Sequence, residues 1–195
     1  MACIGKIGAS LAMPCGAPAR ADLGRPVSAK LLNASDISSF TIFPSTGEAN
    51  ITRVPTSVGW DITAANNALV VTVGLKSQDI MPGAYDVSIT FKTFSGEYAL
   101  ASAFTPMGSV GALSRAELII AVDHGDVVRV YGLGAPLVCT EMSGDSSANE
   151  YITYTYGVED WQVGTTIHNL SRAAYDALST PAPTPAPAPT PTPEV

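Results

Sequence analysis

Chemistry in this 195-residue chain would have to come from two histidines, three cysteines and a few neighbouring carboxylates. His124 stands between Asp123 and Asp126 at the tip of an expected hairpin, and His168 lies far along the chain in Thr165-Thr166-Ile167-His168-Asn169. A metal would need both imidazoles and a carboxylate to converge, and no His-x-x-x-His or paired-cysteine spacing enforces that. His124 is therefore expected as a solvated turn residue. A serine hydrolase would need a nucleophile and base in a defined frame, and the serines lack a Gly-x-Ser-x-Gly context. Gly125, Gly132 and Gly134 interrupt strands and do not open a helix, so no phosphate loop is formed. The acidic pairs, Glu159-Asp160 and Asp123 with Asp126, have neither the spacing of a calcium loop nor a frame for glycosidic acid-base work. They are expected as solvated loop carboxylates. No catalytic, cofactor or metal residue is assigned, no cofactor is called for, and the chain is not expected to be an enzyme.

The cysteines and charges narrow the class further. Cys3, Cys15 and Cys139 are odd in number and too few for a disulfide framework; Cys3 and Cys15 could pair if the N-terminal segment folds back, but buried free thiols are the expected state. The apolar stretch from Ile7 to Met13 contains Gly8 and Ser10 and ends at Pro14, which spoils a secretory signal, so it reads as mature protein. No stretch approaches the ~18 apolar residues of a membrane span. A soluble product made inside a cell is the expectation. The net charge of −7 falls in the second half, where Arg115, Arg129 and Arg172 face most of the acids. That argues against wrapping nucleic acid, which needs basic residues to displace counterions, and is compatible with a surface past which nucleic acid slides.

The elements that would position any site are strands. Leu118 to Val122 and Val127 to Tyr131 flank Asp123-His124-Gly125-Asp126 as a hairpin, and Leu137 to Thr140 resumes after Gly132-Leu133-Gly134-Ala135-Pro136. Tyr85 to Phe94 alternates with period two, placing Tyr85, Val87, Ile89 and Phe91 on one face. A turn at Phe94-Ser95-Gly96-Glu97 leads into Tyr98 to Phe104. Val27 to Leu32, Phe40 to Phe43, Ala49 to Val54, a short strand near Trp60, Ala68 to Val73 and Tyr151 to Tyr156 complete the set. Short helices are expected at Ser109 to Ala116 and at Leu170 to Leu178, the latter capped by Asn169. Trp60, Tyr85, Phe91, Phe94, Phe104, Tyr131, Tyr154 and Trp161 are read as core. Second faces such as Ser88-Thr90 and Thr153-Thr155 are small and polar, which suits a sheet that lines a wet channel or meets copies of itself. The fold expected is mainly β, one domain over 1–179, followed by a Pro/Ala/Thr-rich disordered tail over 180–195 that behaves as a spacer.

Cys3, Pro14-Cys15, Leu32-Asn33-Ala34-Ser35-Asp36-Ile37, Glu117 through Leu137, Ser143-Gly144-Asp145 and Tyr151 to Gly157 together resemble the tail tube proteins of long-tailed bacteriophages, in particular the divergent form of phages of Bacteroidetes-like hosts. The resemblance covers roughly residues 1 to 165. It implies a β-sandwich with a short flanking helix whose extended hairpins join those of neighbours into a closed β-barrel ring. Rings of six would stack into a hollow virion tail tube for DNA ejection. Partners would be further copies of the chain and other tail proteins (tape measure, terminator, baseplate), with DNA passing unbound and no membrane involved. The arm expected to be shared between subunits is the hairpin carrying Tyr85, Val87, Ile89, Phe91, Phe94, Tyr98, Leu100 and Phe104. The Pro-Ala-Thr tail and the Asp-His-Gly-Asp turn depart from the common pattern. Alternatives are a head decoration or tail terminator protein, a carbohydrate-binding or adhesion module on a Pro-Thr stalk, and a small enzyme with an unrecognised site.

Overall fold

A computed structural model describes residues 26–62, 69–75, 85–94, 109–145, 151–158 and 166–182. It is mainly β, as expected. Eleven described strands run in chain order: β1 Ser28–Asn33, β2 Ile37–Phe43, β3 Glu48–Arg53, β4 Trp60–Ile62, β5 Val70–Leu75, β6 Tyr85–Phe94, β7 Glu117–Asp123, β8 Val128–Tyr131, β9 Leu137–Asp145, β10 Tyr151–Gly157 and β11 Ile167–Leu170. Two short helices, α1 Ser109–Arg115 and α2 Arg172–Ala177, accompany them. The strands form one open sheet in the order β2-β3-β11-β8-β7-β9-β10-β6-β5, with β1 lying between β7 and β4. Among the described residues the sheet stays open and does not close into a barrel.

β7 explains the architecture. Its run Leu118 to Val122 is apolar at every position because both of its faces are covered. Leu118, Ile120 and Val122 join Ala29 and Leu31 of β1, Val87, Ile89 and Phe91 of β6, and Ile152, Tyr154 and Tyr156 of β10 in one core cluster. On the opposite face Ile119 and Ala121 pack with Leu32, Val128, Val130, Leu170, Tyr175 and Leu178 under α2. The period-two reading of β6 is thereby explained: its odd residues fill the first cluster, where the Phe91 ring stacks on Tyr156 at 5.7 Å and 8° and leans on Tyr154 at 5.6 Å. Burial pushes the Tyr154 phenol up to about 12 and raises Tyr156 further. Tyr156 donates its hydroxyl to the Leu113 carbonyl, tying α1 to the sheet at 2.5 Å.

The sheet turns at one point. Along one edge β7 pairs with β1, and along the other it pairs first with β8 and then, through Leu118 opposite Leu137, with the start of β9. Between them Gly132 adopts φ +90°, where a Cβ would stand 3.0 Å from the Leu118 carbonyl oxygen. Only glycine closes that corner without strain.

Several expectations are corrected. Trp60 is 64 % exposed, since β4 is a short edge strand whose inward residue is Ile62. Phe104 and Trp161 lie outside the described residues, as does the side chain of Phe94. The second helix begins two residues later than expected, capped by Ser171, whose Oγ accepts from the Ala174 amide, because Leu170 belongs to β11. β11 has no counterpart among the expected strands; its four residues pair antiparallel with β8, and Asn169 meets Glu48 of β3 in parallel.

Candidate assembly interface

The two ends of the sheet present the features that internal strands lack. β2, at one end, is a seven-residue strand, ISSFTIF, in which Ser38, Ser39, Phe40, Thr41 and Phe43 are exposed. β5, at the other, reads VVTVGL, with Val70, Thr72, Val73 and Gly74 exposed and Val71 half-buried. Each pairs with one neighbour, β3 and β6 respectively, among the described residues. Neither carries a charge or a proline, the usual devices by which a sheet edge refuses a further strand; one irregularity, between Ile37 and Ser39, interrupts β2. Phe43 and Val70 are 50 % and 52 % exposed, so each edge also offers apolar surface.

The first strand of the hairpin expected as a shared arm is paired on both sides within the chain. β6 lies between β5 and β10, and Val87, Ile89 and Phe91 are spent on the chain's own core, with Tyr85 half-buried beside them. Tyr98, Leu100 and Phe104 lie outside the described residues. Among the described residues the two ends of the sheet path are β2 and β5, which in the sequence look like ordinary strands.

Next to β2 a polar clamp holds α2 and the residues immediately C-terminal to it. Arg53, at the end of β3, donates from Nη1 to the carbonyls of Ser57 at 3.1 Å and Leu178 at 2.9 Å, and from Nη2 to those of Ala177 at 3.1 Å and Thr180 at 3.0 Å. A planar fork can do this where a point charge cannot. Lys30, buried on β1, ion-pairs with Asp61 at 2.8 Å and donates to Ser179 Oγ, which donates in turn to Asp61 at 2.7 Å. The same ammonium sits 4.9 Å from the centre of the Tyr175 ring, and the Tyr175 hydroxyl is 2.9 Å from Ser28 Oγ. Ala182 ends the described chain: its amide donates to the Ser57 carbonyl at 3.0 Å and its carbonyl accepts from the Thr56 amide at 3.1 Å. Thr56 is held at φ +68° to make that contact, a left-handed conformation that costs a β-branched residue roughly 1–2 kcal/mol. Thr180 to Ala182, counted with the tail on composition, are thus part of the domain; Ala182 is 5 % exposed.

Of the residues first weighed for chemistry, Asp123, His124, His168 and Cys139 make hydrogen bonds within the chain. Asp123 is buried and not solvated: Arg172 binds both of its oxygens, at 2.9 Å to Oδ1, and Oδ1 accepts from the Gly125 amide at 2.7 Å. The Arg172 guanidinium holds its carboxyl below the ordinary range, against the opposing effect of burial. His124 is buried also, its Nε2 3.2 Å from the Tyr131 hydroxyl. The tip of the hairpin is folded back under Arg172, which also donates to the Gly125 carbonyl at 2.6 Å, and this long-range contact has no local sequence signal. His168 stands on β11 with Nε2 2.7 Å from Thr166 Oγ1. Burial raises the half-buried Cys139 thiol, which disfavours the nucleophilic thiolate. Cys3, Cys15, Glu159 and Asp160 lie outside the described residues. Among the described residues no group of three or more His, Cys, Asp or Glu could hold a metal, and no helix is long and apolar enough to cross a membrane. Two shallow grooves flank β2: one of about 440 Å³ between β3 and α2, lined by Ser38, Ile51, Arg53, Leu178 and Ala182 among others, and one of about 400 Å³ over Phe40, Ile119 and Pro136. Compared with protein-family models, curated proteins and solved structures, the chain matches none.

Proposed function

We propose that this chain is a structural, self-assembling virion protein whose copies join through main-chain strand pairing into rings that stack as a hollow tail tube for DNA. The observation that carries the reading is the pair of edges, β2 and β5, at opposite ends of one sheet, each paired on one side only among the described residues, uncharged and partly apolar. Because the two edges differ, the contact they favour is head to tail, β5 of one copy against β2 of the next. Such a contact propagates: it closes into a ring if the rotation between copies divides a full turn, and a closed ring leaves neither of these two edges exposed. The resemblance to phage tail tube proteins supplies the stacking and the passage of DNA. An acidic second half suits that passage, since carboxylates repel the phosphate backbone. Electron microscopy and light scattering of the purified chain at rising concentration test the reading. Rings or tubes are expected, and a monomer at every soluble concentration would contradict it.

A further inference from the structure

We propose, resting on the reading of β2 and β5 as assembly edges, that β5 of one copy pairs antiparallel with β2 of the next in a single register. Val70 stands opposite Ile42 and Thr72 opposite Phe40, so the core beneath β6 continues across the junction onto Phe43.

Direction follows from the sheet. Of the eight steps from β2 to β5, the one between β3 and β11 is parallel and the other seven are antiparallel, so β2 and β5 run in opposite directions. Rotation about an axis lying along the strands, the operation that makes a ring, preserves strand direction and keeps each face on its own side. The contact between copies is therefore antiparallel, with like faces continuous.

The main chain fixes which residues meet. The Phe43 carbonyl accepts from the Thr46 and Gly47 amides in the turn to β3, so it points into the sheet, and the main-chain groups of Ile42 and Phe40, of the other parity, point out. Phe40 and Ile42 share a face with Ile51 and Ala49, on the side of α2. Two sheet edges that run oppositely turn out the main-chain groups of residues on the same face. On β5 those residues are Val70 and Thr72, because Val71 and Val73 share the other face with Ile89 and Val87.

Pro44 then selects the register. Moving the pairing by two residues one way puts Val70 opposite Pro44, which has no amide hydrogen to donate. Moving it two the other way carries Ile42 and Phe43 past the start of β5. The register that remains accounts for a stray aromatic: Phe43 is half exposed on a face where its neighbours Thr41, Asn50 and Thr52 are polar. Across the junction it lies opposite Leu69 and diagonal to Val71, a member of the first core cluster and a residue packed against it. On the other face the exposed Val70 covers Ile42.

Disulfide trapping tests the register. Thr41 and Val71 form a pair without main-chain bonds between them, with Cα atoms about 4.5 Å apart, which a disulfide bridges; Thr41 and Val73 are diagonal, about 7–8 Å apart, which it does not. Equimolar Thr41→Cys and Val71→Cys chains, mildly oxidised where sedimentation shows assembly, should give about tenfold more linked dimer than Thr41→Cys with Val73→Cys. Ser39→Cys with Val73→Cys, exposed at both positions, should link as well as the first mixture. Each variant alone should match the unmodified chain, whose Cys3, Cys15 and Cys139 set the background. Equal dimer from the matched and diagonal mixtures would overturn the register, and linked dimer from Thr41→Cys alone would place β2 against β2. An unmodified chain that assembles while neither matched mixture links would overturn this proposal and leave self-assembly standing. A chain that never assembles would remove both.

Discussion

Arg53→Ala should loosen the whole C-terminal clamp, and the structure gives the size of the effect. The guanidinium makes four hydrogen bonds to carbonyls, two of them in the exposed outer part of the clamp where water substitutes readily, at Ala177 and Thr180. The two partly buried bonds, to Ser57 and Leu178, carry most of the loss. At about 1 kcal/mol net for each, with a smaller contribution from the exposed pair and some side-chain entropy regained, truncation should cost about 2 kcal/mol. In a chain of 195 residues that lowers Tm by roughly 4–8 °C. Urea denaturation followed by circular dichroism measures the free energy, and Arg53→Lys separates charge from geometry. Lysine keeps the charge but cannot span four acceptors, so it should recover less than half of the loss. A cost below about 0.5 kcal/mol for Arg53→Ala, typical of an unconstrained surface position, would refute the clamp. Full recovery by lysine would show that only charge matters.

Two more outcomes are expected of the C-terminal clamp and the hairpin tip. A chain ending at Ser179 should be less stable than one ending at Ala182 by about 1–2 kcal/mol, because it loses the two main-chain bonds at Ala182 and the Thr180 acceptor, and Thr56 then keeps its left-handed backbone without a partner; equal unfolding midpoints would return residues 180–182 to the tail. Asp123 has a folded-state value below its ordinary 3.8, so the unfolded chain takes up the proton first: the stabilisation from Arg172 is complete above that range and disappears as pH falls through the folded value. Asp123→Asn should therefore lower stability at pH 7, flatten the acid limb of a stability-against-pH curve and leave the slope from Asp61, whose value Lys30 also depresses; an unchanged acid limb would show that the Arg172 contact does not act in solution.

The elements legible in the sequence are those with a strong local pattern. Alternation places β6, the β-branched run Tyr151 to Tyr156 places β10, and the continuous apolar run Leu118 to Val122 places β7, though the run alone does not say that α2 covers its second face. The clamp is not legible, since Arg53 reaches residues more than a hundred positions away and nothing in Thr52-Arg53-Val54 signals that reach. His124 and Asp123 look like a solvated turn for the same reason: their burial is imposed by Arg172, 49 residues on from Asp123. β11 escapes notice because Ile167 to Leu170 is only four residues long and runs straight into the cap of α2. The edges are hidden because sheet order, unlike strand identity, leaves no mark within a strand; β2 and β5 look like β10 until their neighbours are known.

The most direct measurement of head-to-tail assembly mixes two edge-blocked variants. Phe43→Lys puts a charge on β2 and Val70→Lys puts one on β5, both at exposed positions where the fold should change by no more than about 0.5 kcal/mol. Sedimentation velocity should find the unmodified chain assembling as concentration rises and each variant alone remaining a monomer. An equimolar mixture should form discrete dimers and nothing larger, since it contains one working β5 edge and one working β2 edge. An unmodified chain that stays monomeric at every concentration, or a single variant that assembles as well as the unmodified chain, would contradict the account.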